Sequence, residues 1–409
     1  YSDELNELFK GSRSRPYGVL FSTKNITAQL GASNIGAPYE RFTGSGPVYF
    51  NNGLNGLFTL ASEDLMEDYK INGGLRLASD LTIPEYFVRF ENLKKRLDKE
   101  FIFYKNGETN LDANSGGKSN SYEVRTNLKY PFDETQRVGF SVGFRRDDAF
   151  PLSTDIFTLI QPTTFDNWGS IMVDYVWDNT LKLGENLYYG TKAKVYAERY
   201  WNLRNSDDQI TNIGFDFRHY QKIHRNLIVA SRIAGAHSPS MRKTIYYLGG
   251  VDSWISPKFD NDTQINQDEN YYFQALASNM RGFTQNARNG NSFMVINNEV
   301  RFPVFSYFFK KPIKSDFVKN FQIVPFFDLG SAWTGLDPFD EENKFNKQTI
   351  KSGPITVTII EPQSPFVAGY GTGIRSRLLG YFIRLDYAWG IENGFILDPR
   401  FYFSLSLDF

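Results

Sequence analysis

Arg137-Val138-Gly139-Phe140-Ser141-Val142-Gly143-Phe144-Arg145 alternates without a break. Val138, Phe140, Val142 and Phe144 share one face of an extended chain. Gly139, Ser141, Gly143 and Arg145 share the other, because a strand sends successive side chains to opposite sides. The same rhythm recurs on either side. Ser121–Tyr130 sets Tyr122, Val124, Leu128 and Tyr130 against Glu123, Arg125, Asn127 and Lys129. Ile213, Phe215 and Phe217 alternate with Gly214, Asp216 and Arg218. Tyr381–Trp389 turns Tyr381, Ile383, Leu385, Tyr387 and Trp389 outward and Arg384 and Asp386 inward. Both charge signs recur on the polar face, as they do in a hydrated lumen that also holds loops.

The composition agrees. Aromatic residues make up 16% of 409 residues, with 37 Phe and 24 Tyr, yet mean hydropathy is −0.42. No run of about 18 apolar residues exists, so no transmembrane helix is expected. Strands that face lipid on one side and water on the other reconcile aromatic richness with low hydropathy. A large soluble sandwich shares this composition; the order on the polar face is what favours the barrel. Cysteine is absent, which removes thiol catalysis, Cys-ligated zinc and disulfides. A formal net charge of −1 gives no pull toward nucleic acid. His219, His224 and His237 lack metal-ligand spacing, so neither metal nor cofactor is expected. His237-Ser238 has no placed acid, and no catalytic residue is assigned.

Counting the alternating runs gives an all-β fold, a 16-stranded antiparallel transmembrane β-barrel. The strands fall near 17–30, 53–62, 69–80, 84–94, 98–106, 120–130, 135–147, 165–178, 187–202, 209–222, 225–237, 292–302, 320–334, 366–377, 380–391 and 399–409. In the first, parity shifts between Val19/Phe21 and Ile26/Ala28/Leu30, as a bulge or a displaced boundary would make it. Connections after odd strands are mostly long and polar, those after even strands mostly short, as in outer-membrane barrels. Pro303–Lys319 is the exception, a long apolar turn that suits a membrane interface. Residues 1–16 read as a periplasmic lead and 17–409 as the barrel. Tyr1–Arg15 is not a signal peptide, so the exported chain reads as mature or trimmed.

Residues 238–291 read as a long surface loop folded into the lumen, with Asn279-Met280-Arg281-Gly282-Phe283 deep within it. On the twelfth strand Asn297, Glu299 and Arg301 face inward, and on the thirteenth Phe326, Asp328 and Gly330 do. A guanidinium can bind carboxylates bidentately, so Arg281 can reach Glu299 and Asp328, with Gly282 allowing a tight path and Phe283 an apolar foot; the four ordered features given below, not the residues alone, favour that lock. The plain alternative is a solvated loop arginine. Arg384 and Asp386 are secondary lumen candidates. At the end of the sequence, Phe401, Phe403, Leu405, Leu407 and Phe409 are expected to face outward. They also suit a sorting signal read by β-augmentation.

Four ordered features carry a resemblance: Arg281-Gly282-Phe283, Asn298-Glu299-Val300-Arg301-Phe302-Pro303, Phe326-Phe327-Asp328-Leu329-Gly330, and the last strand ending in Phe409. Together they resemble the barrel of the BamA/TamA/FhaC superfamily of outer-membrane insertases and translocases. Tyr247-Leu248-Gly249-Gly250 and Gly369-Tyr370-Gly371-Thr372-Gly373 follow the same style. The resemblance implies a bacterial outer-membrane protein without a chemical step. Its partners would be outer-membrane lipids and lipopolysaccharide, unfolded β-barrel or secreted polypeptide substrates, and periplasmic or lipoprotein partners. It also implies a seam between first and last strands that can open sideways. Residues 248–303 and 320–335 look most like a Bacteroidota-type branch with an upstream TolB-like propeller. The rival readings are a channel or a structural subunit of a larger secretion or assembly complex.

Overall fold

The computed structural model describes residues 19–30, 39–42, 44, 56–77, 85–110, 117–151, 163–266, 268–277, 279–309, 311–340, 343, 347–352, 355–360 and 363–409. The expected lead segment 1–16 lies outside them. Among the described residues sixteen strands form the wall. The first eight are β1 Phe21–Leu30, β2 Gly56–Asp64, β3 Tyr69–Leu77, β4 Glu85–Asn92, β5 Asp98–Asn110, β6 Gly117–Pro131, β7 Gln136–Pro151 and β8 Thr164–Asp178. The second eight are β9 Leu187–Asn202, β10 Gln209–His224, β11 Leu227–His237, β12 Ser292–Arg301, β13 Gln322–Trp333, β14 Val367–Leu378, β15 Tyr381–Glu392 and β16 Arg400–Ser404. Each pairs antiparallel with its neighbours in the chain, from β1–β2 through to β15–β16. Among the described residues no ladder joins β1 to β16. Two short pieces, Leu181–Gly184 and Phe395–Ile396, extend the same sheet beside β9 and β15.

The alternation read in β7 is the alternation observed. Phe140, Val142 and Phe144 are exposed, while Ser141 and Arg145 are buried. Val124, Ile171, Val173, Val195, Ile213, Phe217, Phe327 and Tyr387 continue an exposed apolar band around the outer face. Soluble monomers rarely expose so continuous a band, whereas a lipid-facing wall requires one. The parity shift in β1 is a bulge: its ladder with β2 passes from Thr23 to Asn25 and skips Lys24. The β5–β6 hairpin runs further than the sequence suggested and takes up most of the expected loop at 106–119.

The long segment after β11 is more ordered than its polarity suggested. Arg242–Leu248 and Asn270–Ala277 form a parallel pair, flanked by Arg288–Gly290 and by Glu40–Arg41 from the β1–β2 connection. This four-stranded sheet packs on the inner face of the wall. Tyr246, Leu248, Tyr272, Phe273, Met280 and Phe283 share one buried cluster with Trp168, Tyr200, Ile210, Val295, Ala332 and Val367 of the wall. The aromatic pairs within the polar stretch therefore build a core. Parallel strands need a long crossover, which is why the segment does not read as a hairpin.

Pro303–Lys319 forms two short helices, α1 Val304–Phe308 and α2 Asp316–Lys319. Ser315 caps α2 by accepting from the Val318 N–H. Phe308, Phe309 and Phe317 are exposed.

Candidate functional site: a buried arginine tether and the last strand

Arg281 is 1% exposed, on the inner face of β12 and β13. Its Nε and Nη2 donate to the two carboxylate oxygens of Asp328, each at 2.7 Å, and Nη1 donates to Glu299 at 2.7 Å. The Arg281 backbone N–H also donates to Asp328 at 3.2 Å. Asn297 donates to Asp328 and to the Asn279 carbonyl, at 2.8 and 2.7 Å. The Phe326 ring lies 3.7 Å beneath the guanidinium carbon. Burial works against this charge, but Asp328 and Glu299 overcome it and push its pKa well above the usual arginine range. Cutting away one partner of such a buried pair costs about 3–5 kcal/mol.

The chain reaches this position through glycines. Gly282 has φ +98°, a left-handed conformation, and an added Cβ would lie 2.6 Å from the Gly390 nitrogen. Gly369 and Gly390 are cross-strand neighbours on β14 and β15, and the loop tip rests on them. A Cβ at Gly369 would come within 1.9 Å of the Arg281 carbonyl oxygen; one at Gly390 would meet the Phe283 ring at 2.8 Å. Gly369 of β14 and Gly390 of β15 are thus a landing surface, a close approach of backbone that only glycine permits.

A second ionic cluster adjoins the first. Arg301 pairs with Glu299 at 2.9 Å. Arg375 pairs with Asp386 and with Asp408, both at 2.8 Å, and Arg384 pairs with Asp408 at 3.0 Å. Arg281, Arg301, Arg375 and Arg384 are matched by Glu299, Asp328, Asp386 and Asp408, so the buried charges cancel. The sequence reading placed Arg384 and Asp386 inward, and the structure joins them to Arg375 and Asp408.

The end of the chain corrects the expectation of an outward-facing row. Phe401 and Leu407 are exposed and Phe403 and Leu405 half-buried, but β16 ends at Ser404 and Phe409 turns inward. It packs against Leu187, Tyr220, Ile228 and Ala230, strand residues of β9, β10 and β11. Arg301 lies over its ring at 5.1 Å and donates to its carbonyl at 3.0 Å. Asn186, in the turn before β9, donates to Asp408 at 2.7 Å. The physical reason is charge balance. Asp386 alone cannot compensate both Arg375 and Arg384, so Asp408 is drawn in and Phe409 follows.

The domain model described as Omp85 superfamily domain matches residues 75–409. The chain belongs to the Omp85 superfamily. A search of curated proteins finds no match. Among solved structures, this Omp85 chain is similar to BamA from Haemophilus ducreyi lacking POTRA domains 1–3. Identity there is 12% and the TM-score 0.53, over 95% of this chain and 74% of that one. CdiB from Acinetobacter baumannii gives 13% identity and a TM-score of 0.49, over 86% of this chain and 56% of that one. CdiB from Escherichia coli gives 12% and 0.48, over 96% and 67%. The BamA likeness establishes the fold; membership in the superfamily places the protein among outer-membrane insertases and translocases.

Tyr402 and Arg375 are among the residues of this site that the sequence reading did not assign. Tyr402 on β16 accepts from the Gly282 N–H at 2.9 Å and donates to the Phe283 carbonyl at 2.8 Å. Its even position on the last strand already marked it as inward. Arg375 shares the inward parity of Gly369, Gly371 and Gly373, and that parity was the available signal. His237 faces Ser292 across the ladder at 2.7 Å rather than the adjacent Ser238.

Proposed function

We propose that this protein assembles or translocates polypeptides at the outer membrane without a chemical step. The loop at 238–291 would be tethered in the lumen by Arg281, Glu299 and Asp328, and the seam between β1 and β16 would be the working edge. The observation that supports this most is the joint hold on the loop tip: β12 and β13 bind Arg281, while β16 binds Gly282 and Phe283 through Tyr402. The state of the loop and the state of the last strand are thereby linked. A passive pore has no use for such a link.

Its surroundings follow from the same reading. The outer apolar band meets lipid, with lipopolysaccharide on the long-loop side. Unfolded barrel strands or secreted chains are the substrates, and periplasmic or lipoprotein partners deliver them. The motif style of 248–303 and 320–335 supports the branch with an upstream TolB-like propeller. Reconstitution into vesicles tests the function. Unfolded outer-membrane substrate added with the protein should become protease-protected faster than with empty vesicles, and faster than with Arg281→Ala. Equal rates in all three would sink the assembly reading. Large steady conductance of the wild type in planar bilayers would favour a channel instead.

A further inference from the structure

The two short helices between β12 and β13 lie on the outer surface of the wall. Phe302 shares the outward parity of exposed Val300, and its ring meets those of Tyr307 and Phe308 of α1 at 5.1 and 5.9 Å. Ser376 on β14 shares the outward parity of exposed Ile374, yet it is buried. α2 packs over it, and its hydroxyl donates to the Phe317 carbonyl at 2.7 Å. The turn between β10 and β11 clamps α1. Arg225 donates to the Tyr307 carbonyl at 2.6 Å, and Nδ1 of His224 lies 2.8 Å from the Tyr307 hydroxyl. The hairpin is therefore fixed at the end of the barrel that carries the short turns, the periplasmic end in outer-membrane barrels. What it leaves exposed is both apolar and basic. Phe308, Phe309 and Phe317 are exposed, as are Lys311, Lys314 and Lys319. From Phe302 to Phe321 the sequence has four lysines and one acid, Asp316. Among the described residues none of the three exposed lysines has a carboxylate partner. The turn between β14 and β15 adds exposed Arg377 and Leu379 on the same rim.

We propose that the α1–α2 hairpin is a binding site for anionic phospholipid headgroups of the periplasmic leaflet. Phe308, Phe309 and Phe317 enter the boundary of the acyl chains, and Lys311, Lys314 and Lys319 hold the phosphate. Aromatic rings favour the layer between hydrocarbon and water. Lysines beside them lay their stems along that layer and carry their charge to the headgroups. Charge selects the occupant: a zwitterionic headgroup leaves the excess of lysine uncompensated, and an anionic one does not. The site needs only the outer-membrane barrel and stands whether or not the protein assembles polypeptides.

Native mass spectrometry of protein released from micelles doped equally with dioleoylphosphatidylglycerol and dioleoylphosphatidylcholine tests this. The first lipid retained by wild type should be mainly the phosphatidylglycerol. The triple variant Lys311→Gln, Lys314→Gln, Lys319→Gln should lose that preference, by about fivefold for each lysine that holds phosphate. Lys182→Gln, on another turn of the same rim, should keep it. An unchanged preference in the triple variant, or an equal loss in Lys182→Gln, overturns the proposal. Depth gives an independent measurement. The chain has no cysteine, so Phe309→Cys carries a single bimane label. In vesicles the label should be quenched by phosphatidylcholine bearing a doxyl group near the top of its acyl chain. A label left unquenched in folded protein, as a water-facing or protein-covered surface would leave it, overturns the site as well. Faster migration of the unboiled protein in gels reports folding of each variant.

Discussion

Arg281 holds the loop by geometry as much as by charge, because its planar fork meets Asp328 with two donors and Glu299 with a third. Arg281→Ala should leave the wall folded and expose the loop to protease; digestion indistinguishable from wild type would refute the tether. Arg281→Lys should restore little, since an ammonium cannot reproduce the bidentate contact. Gly369→Ala tests the landing surface without touching charge. Its Cβ would come within 1.9 Å of a backbone oxygen, so hydrogen exchange around Met280–Phe283 should rise while the strands stay protected. Part of this was legible. The parity of Glu299 and Asp328, read together with the ordered motifs of the resemblance, named both partners of Arg281 from the sequence. The role of Gly369 was not, because a strand pattern fixes which face a residue is on and not what stands over it.

At the scale of elements, β16 and the residues after it behave as two units. Alternation correctly turned Asp408 inward and wrongly turned Phe409 outward, because period 2 applies only while the chain stays in the ladder. Burial opposes the Asp408 charge, but Arg375, Arg384 and Arg301 outweigh it and hold its pKa well below the usual carboxylate range. A depressed carboxylate stabilises the docked state above its unfolded pKa, and the gain is lost as pH falls toward the folded value. Docking of 405–409 should therefore be unchanged from pH 8 to 5 and weaken only below about 4. Asp408→Asn should release the segment at neutral pH, read as faster exchange of its amides; unchanged exchange would show that Phe409 alone holds it. The loop at 238–291 reads from the sequence as folded into the lumen, but its own strands do not show there. Its strands pair in parallel across a long excursion, a pattern that local alternation does not reveal.

The whole molecule is a wall and a filling. The wall was readable because sixteen alternating runs repeat one physical constraint, lipid outside and water inside. The filling was readable only at its tip, where Arg281 has partners of fixed parity. Deleting 238–291 removes Phe273, Tyr246 and Leu248 from the largest buried cluster. Such a variant should unfold at lower temperature than wild type and conduct ions in planar bilayers where wild type does not. A variant as resistant to current as wild type would mean that other segments close the interior.

The position of the tether along the chain has one more consequence. Asn297, Glu299, Asp328, Gly369, Gly390 and Tyr402, the residues that receive the loop tip, all follow Arg281 in sequence. A chain interrupted before β13 lacks Asp328 and cannot form the Arg281 tether, however well its earlier strands have paired. Docking of Met280–Phe283 thus reports that synthesis and pairing have passed β13, and a copy that stops short of it advertises itself by a loop left open to proteases.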